Sequence, residues 1–263
     1  MTATSLSDFI SSASFGVPHR MVQSAWLEHG PFAFWLIEQL RPCLIAELGT
    51  ERGYSLAAFS QALKEGGQAG RAIGIDTWRG DEHTGPYNEQ VFQDVSAYFA
   101  THHSGRAELK RMYFSEALKD VSDSSVDLLH VDGRHYYDDV KEDHETWIGK
   151  LSDRAVVLFH DTQVRDRDFG VWKYFAELAA KHPTFEFYNG NGLGILAHGA
   201  NVPESVARLT ALDPDGQYSS NVRAAYARLG GALSVTYERD SYRRRFEKLR
   251  YPLRHLANKM GGK

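Results

Sequence analysis

Short apolar or β-branched runs alternate along this chain with segments whose apolar residues return every three or four positions. The runs are "LIAEL" at 44–48, "RAIGID" at 71–76, "AELKRM" at 107–112, "VDLLHVD" at 126–132 and "AVVLFHD" at 155–161. Each is short enough to read as a buried strand. Between them Leu56, Phe59 and Leu63, and later Val140, Trp147 and Leu151, keep helical spacing. Such alternation predicts a mainly parallel sheet with helices on both faces. A further helix over 170–182, "GVWKYFAELAAKH", leads to two strand-like runs, "TFEFYNG" and "GLGILAHG", joined by a Gly and Asn turn. They predict an antiparallel pair at one edge of the sheet.

Three parts follow. Residues 1–41 read as an N-terminal helical extension closing on "PFAFWLIEQL", 42–200 as the α/β domain, and 201–263 as a helical segment with a basic tail. With 42% hydrophobic and 12% aromatic residues among 263, the chain has ample material for a packed core. Its net charge of −4 excludes a strongly basic nucleic-acid binder. That charge is unevenly spread: from Glu238 to Lys263 nine Lys or Arg face three acids, so this tail carries +6 and the remainder −10. The lone Cys43 can form no internal disulfide and reads as core filling in a reducing compartment. The N-terminus has no secretory-signal pattern and no run is long enough to span a membrane, so the expected location is cytoplasmic.

The first βα turn carries the chemistry. In open α/β sheets ligands bind beyond the carboxyl ends of the strands. Glu47 lies at that end of the first run, Gly49 and Gly53 permit a tight turn, and "YSLAAFSQAL" opens a helix whose N–H groups face the ligand. The turn reads E-L-G-T-E-R-G, which is neither the dinucleotide G-x-G-x-x-G nor a P-loop. An acid there suits a ligand bearing positive charge. In "GIDTW", Asp76 ends the next strand, where a carboxylate can accept both ribose hydroxyls. Ser115 in "MYFSEAL" is a candidate for the adenine edge, with a helix N-cap as the bland alternative.

The ordered motifs "ELGTERG", "GIDTWRGD", "HVDGRHYYDDVKEDHETW", "LFHDT", "FGVWKYF" and "GNGLGIL" resemble the class I S-adenosylmethionine-dependent methyltransferases, in the branch acting on sugars and small hydroxylated molecules. The resemblance covers residues 42–198. It implies a Rossmann-like sheet of seven strands, mainly parallel with one antiparallel. It also implies S-adenosylmethionine as cofactor, held by Glu47, Gly49 and Gly53 with Thr50 and Ser55 of the same turn, by Asp76 and Trp78, and by Ser115 and Asp132.

Two strand ends hold the densest polar groups: His130, Asp132 and His135 after "VDLL", then His160 and Asp161 after "AVVLF". If those strands are neighbours, about 4.8 Å apart, the two carboxylates share a crevice and need compensation. A divalent cation, Mg²⁺ or Mn²⁺, on Asp132, Asp161 and His160 supplies it, as does a shared proton. Methyl transfer to a hydroxyl also needs a base, for which His135 and His160 are the candidates, beside Asp132. His130 reads as a hydrogen-bonded core residue, and His102, His103, Asp143 and His144 as solvated. Trp78 and "RGDEHTGPYNEQ" read as a mobile lid or a plain surface loop.

The expected activity is O-methyl transfer to a sugar, glycan precursor or small natural product, with no nucleic-acid partner. A non-catalytic cofactor-binding module in a glycan-assembly complex is the rival, and an NAD-type oxidoreductase is disfavoured by the missing glycine fingerprint. In the tail, Tyr242, Phe246, Leu249, Leu253 and Leu256 fall between cations, with Pro252 expected to interrupt the helix. That tail could pack on its own subunit, join copies into a homo-oligomer, or rest on an anionic membrane surface.

Overall fold

The computed structural model describes residues 5–82 and 85–260, with side chains described as far as residue 247. After three 3₁₀ turns, the elements run α1 (Gly30–Leu40), β1 (Leu44–Leu48), α2 (Tyr54–Glu65), β2 (Arg71–Asp76), β3 (Gly80–Asp81), β4 (Gly85–Pro86) and α3 (Glu89–His102). Then come β5 (Ala107–Arg111), α4 (Phe114–Ala117), β6 (Val126–Val131), α5 (Tyr137–Trp147), β7 (Leu151–His160) and α6 (Val171–Ala179). The chain ends with β8 (Thr184–Phe187), β9 (Leu193–Ala197), α7 (Glu204–Thr210) and α8 (Gln217–Met260).

Seven strands form one sheet in the order β5-β2-β1-β6-β7-β9-β8. The first five pair in parallel, and β9 runs antiparallel to both β7 and β8. One strand therefore opposes the other six, as the sequence motifs imply. Strand order reverses between β1 and β6, where a crevice must open at the carboxyl ends.

Alternation along each strand divides the core in two. Ile45, Leu128, Val156 and Leu158 face a cluster with α1, α2, α7 and the first turns of α8, around Trp26, Phe32 and Tyr226. Leu48, Val131, Val157 and Phe159 face a second cluster under α5 and α6, around Trp147 and Phe175. Because successive side chains change face, Glu47, His130 and His160 point to the same side as Ile45, Leu128 and Leu158. His130 and His160 meet Trp26 there.

Several expectations are revised. Only α1 is an α-helix in the N-terminal segment; short turns capped by Ser11 and Ser24 precede it. β7 starts at Leu151 rather than 155, its polar start disguising a strand. Cys43 is exposed, because it sits on the loop before β1 with its N–H given to Asp127 Oδ2 at 2.7 Å. His103 is buried among Tyr98 and Phe99, and His144 is buried with its Nδ1 against the Tyr174 hydroxyl at 2.8 Å. α8 continues through position 252: proline removes one backbone bond, and the turns on either side hold the helix together. Among the described residues no helix is long and apolar enough to cross a membrane.

Candidate active site

A cavity of about 410 Å³ opens at the carboxyl ends of β1, β2, β6 and β7. Its floor is the β1–α2 turn. Gly49, at φ 94°, lies so close to the neighbouring strand that a Cβ would stand 2.0 Å from the Asp132 carbonyl oxygen. Gly53, at φ 72°, turns the chain into α2 and brings that helix's first N–H groups to the cavity. Thr50, Glu51 and Ser55 line it.

Asp76 locks this turn in place. Its Oδ2 accepts from the N–H of Thr50 at 3.0 Å and of Glu51 at 2.9 Å, and its Oδ1 from the N–H of Trp78 at 2.6 Å. Asp76 lines the cavity as well, so one carboxylate shapes the loop and faces the ligand. Glu47 lies one layer deeper. It is fully buried and does not itself line the cavity; its Oε2 accepts from Ser55 Oγ at 2.5 Å and from His130 Nδ1 at 3.0 Å. His130 Nε2 in turn accepts from Trp26 Nε1 at 3.0 Å, which makes His130 a core residue. Glu47 Oε1 and Thr50 Oγ1 are buried without a hydrogen-bond partner among the described residues.

Besides Glu47, two more expected cofactor contacts are placed off the cavity. Ser115 is exposed and off the cavity wall, which Tyr113 and Phe114 supply instead; Tyr113 also takes the N-cap position, its N–H given to Glu116 at 3.0 Å. Trp78 is buried against Phe92 and gives its Nε1 to the Glu51 carbonyl at 2.8 Å. It buttresses the turn from behind. The following residues form the small β3–β4 ribbon, of which Gly80, Asp81 and Glu82 reach the cavity.

The polar end of the cavity is built by β6 and β7, which are neighbours as the two-acid argument requires. His135 Nε2 lies 2.9 Å from Asp161 Oδ2 and 3.8 Å from Asp132 Oδ1, and its ring stacks on Phe169 at 4.4 Å. Asp161 is held at φ 61°, a costly conformation for a non-glycine, and accepts from Asn191 Nδ2 at 3.0 Å. One ligand atom from each of Asp132, His135 and Asp161 falls within 4.8 Å of the others. His160 turns both nitrogens to other partners: Nδ1 to Asp132 Oδ1 at 3.2 Å, and Nε2 to the Gly190 carbonyl at 3.1 Å. His29, which the sequence did not flag, gives its Nε2 to the same carbonyl at 3.0 Å.

Electrostatics follow from this packing. Burial alone would depress His135, but Asp132 and Asp161 outweigh it and raise its pKa to about 9. Burial likewise opposes the charged form of His160, and the same two acids override it and lift it well above the ordinary value. Burial would raise both carboxylates; the facing imidazoles reverse this and hold Asp132 and Asp161 well below the usual range. His29, pushed down to about 3 by burial and by the His160 charge, stays neutral. The repulsion between the acids is thus offset by two imidazolium groups.

Residues 46–162 match the family model described as a methyltransferase domain. A curated relative, an uncharacterized protein y4gI of Sinorhizobium fredii, is 47% identical over 235 residues, or 89% of this chain. The chain spans 25% of that relative's length. A Staphylococcus aureus structure described as a candidate caffeoyl-CoA O-methyltransferase shares the fold at a TM-score of 0.53 and 20% identity, over 68% of this chain and 85% of its own. The S-adenosylhomocysteine-bound methyltransferase PaMTH1 of Podospora anserina shares it at 0.50 and 15%, over 67% and 79%.

Proposed function

We propose that this protein is an S-adenosylmethionine-dependent O-methyltransferase that acts on a hydroxyl of a sugar, glycan precursor or small natural product, with a divalent metal. The observation that carries this reading is one cavity joining the Gly49–Ser55 turn and Asp76 to the cluster of Asp132, His135 and Asp161. The donor is a sulfonium cation, and Glu51, Asp76, Asp132 and Asp161 give the cavity acidic walls. The tight turn at Gly49 and the unpartnered Thr50 Oγ1 beside the cavity fit a polar cofactor lying on that floor.

In the transfer, the acceptor oxygen forms a bond to the methyl carbon, the C–S pair returns to sulfur, and the hydroxyl proton must leave. Holding oxygen and methyl carbon in line is worth roughly 7–11 kcal/mol of the barrier. His135 is the base nearest the acids. In its neutral form it takes the hydroxyl proton, and Asp132 and Asp161, which raise its pKa to about 9, stabilise the imidazolium that results. His160, spanning Asp132 and the Gly190 carbonyl, positions Asp132 and does not touch the reacting atoms. Asp132, Asp161 and the neutral form of His135 would hold Mg²⁺ or Mn²⁺ once such an ion displaced the His135 proton, and the ion would make the acceptor hydroxyl more acidic.

Calorimetry with S-adenosylhomocysteine tests the foundation: a dissociation constant below about 100 μM is expected, and no detectable binding removes the proposal. Asp161→Ala and thorough chelation test the metal separately. Turnover that survives both leaves the methyltransferase standing without it.

A further inference from the structure

We propose that a second cavity, between residues 23–28 and α8, is the acceptor subsite, and that its occupant is a neutral oligosaccharide. The inference rests on the methyltransferase reading and deepens it. This cavity measures about 500 Å³, within the usual size of ligand sites. It adjoins the first: Ser24 and Ala25 line both, so a ligand can lie across them. The first cavity must hold the donor and the reacting hydroxyl. The rest of the acceptor needs somewhere to go, and a single sugar ring cannot occupy both chambers.

One turn ties the two chambers together. Asn189 gives its side-chain N–H to Glu28 Oε2 at 3.2 Å, the Gly190 carbonyl accepts from His29 and His160, and Asn191 donates to Asp161. Gly190, Asn191 and Gly192 all have positive φ, at 56°, 66° and 93°. A Cβ on Gly190 would stand 2.9 Å from His29 Nε2. The segment that fixes Asp161 for chemistry thus also fixes Glu28 on the wall of the second chamber.

The lining chemistry suits uncharged hydroxyls. Among the described lining residues Glu28 and Glu238 set two carboxylates against the guanidinium of Arg245, a balance that does not favour an anionic ligand. Glu28 Oε1 is met only at 3.3 Å, by Ser234 Oγ, and retains acceptor capacity. Vicinal sugar hydroxyls donate to such carboxylates and accept from the guanidinium. Tyr237 and Tyr242 add rings on which the apolar C–H face of a pyranose can rest, Tyr242 being 68% exposed at the rim.

The test is saturation-transfer NMR on the S-adenosylhomocysteine-loaded protein with neutral tetrasaccharides of glucose, mannose, galactose and N-acetylglucosamine, and with catechol as an aromatic control. We expect at least one tetrasaccharide to bind. Glu238→Gln and Tyr242→Ala, both at exposed positions that spare the core, should each weaken that binding at least tenfold while leaving the S-adenosylhomocysteine affinity within twofold. Absence of any tetrasaccharide binding, equal binding by both variants, or catechol binding in place of the sugars overturns the subsite and leaves the methyltransferase reading intact. Failure to bind S-adenosylhomocysteine overturns both.

Discussion

His135 sits between two carboxylates, and its proton is a direct readout of the site. Its folded-state pKa of about 9 lies above the unfolded value of 6.5, so the folded chain holds this proton more tightly. The resulting stabilisation is complete below pH 6.5 and is lost as pH rises through 9, on the order of 3 kcal/mol in all. With chelator present, melting temperature should therefore fall across that window, and His135→Gln should flatten the fall. A wild-type curve level from pH 6.5 to 9.5 would refute the assignment. Asp132 and Asp161 act on the acid limb with the opposite sign: their contribution is present above the ordinary carboxylate pKa and disappears on acidification. At this scale Asp76, Asp132, His160 and Asp161 are readable because each lies at the end of a recognisable strand, and His135 because it lies on the loop that leaves one. His29, Trp26 and Asn191 were not, since nothing around them in sequence marks a ligand site. Ser115 differs from expectation because the wall passes through Tyr113 and Phe114, its two immediate predecessors in the chain.

Elements are where local sequence speaks most clearly. The β1–α2 turn needs positive φ at Gly49 and no side chain there, both for the same reason: the Asp132 backbone runs alongside. Gly49→Ala should cost about 3 kcal/mol or more and abolish S-adenosylhomocysteine binding; urea unfolding that matches the wild type would contradict this close approach. The union of α8 with the N-terminal turns depends on Tyr226, whose hydroxyl donates to the Phe9 carbonyl at 2.7 Å and meets Ser14 Oγ at 3.0 Å. Tyr226→Phe keeps the ring and removes both contacts. A loss of about 1–2 kcal/mol is expected, together with faster hydrogen exchange over residues 9–16. Strand and helix periods announced most elements, but the polar start of β7 and the passage of α8 through position 252 did not show, because neighbouring turns outweighed the local signal.

For the molecule as a whole, the first cavity is self-contained: every described residue lining it lies between Ser24 and Asp161. α8 contributes Val222, Tyr226 and Leu233 to the core, while its side chains from Tyr242 to Glu247 are exposed. A chain ending at residue 247 should thus keep its S-adenosylhomocysteine affinity within twofold, as measured by calorimetry. A tenfold loss would show that the basic tail reaches the donor site.

The sequence by itself determined the sheet and its helices, since hydrophobic period and turn glycines are local properties. It also determined that acids would stand at the strand ends, because strand ends are where such a sheet opens. Tertiary structure alone decided which partners those acids meet. Glu47 sinks beneath the cavity onto His130, and the two aspartates are balanced by imidazoles, because segments up to 161 residues apart converge there. No local pattern encodes that convergence; it follows from packing the N-terminal segment and the 189–192 turn against the open edge of the sheet.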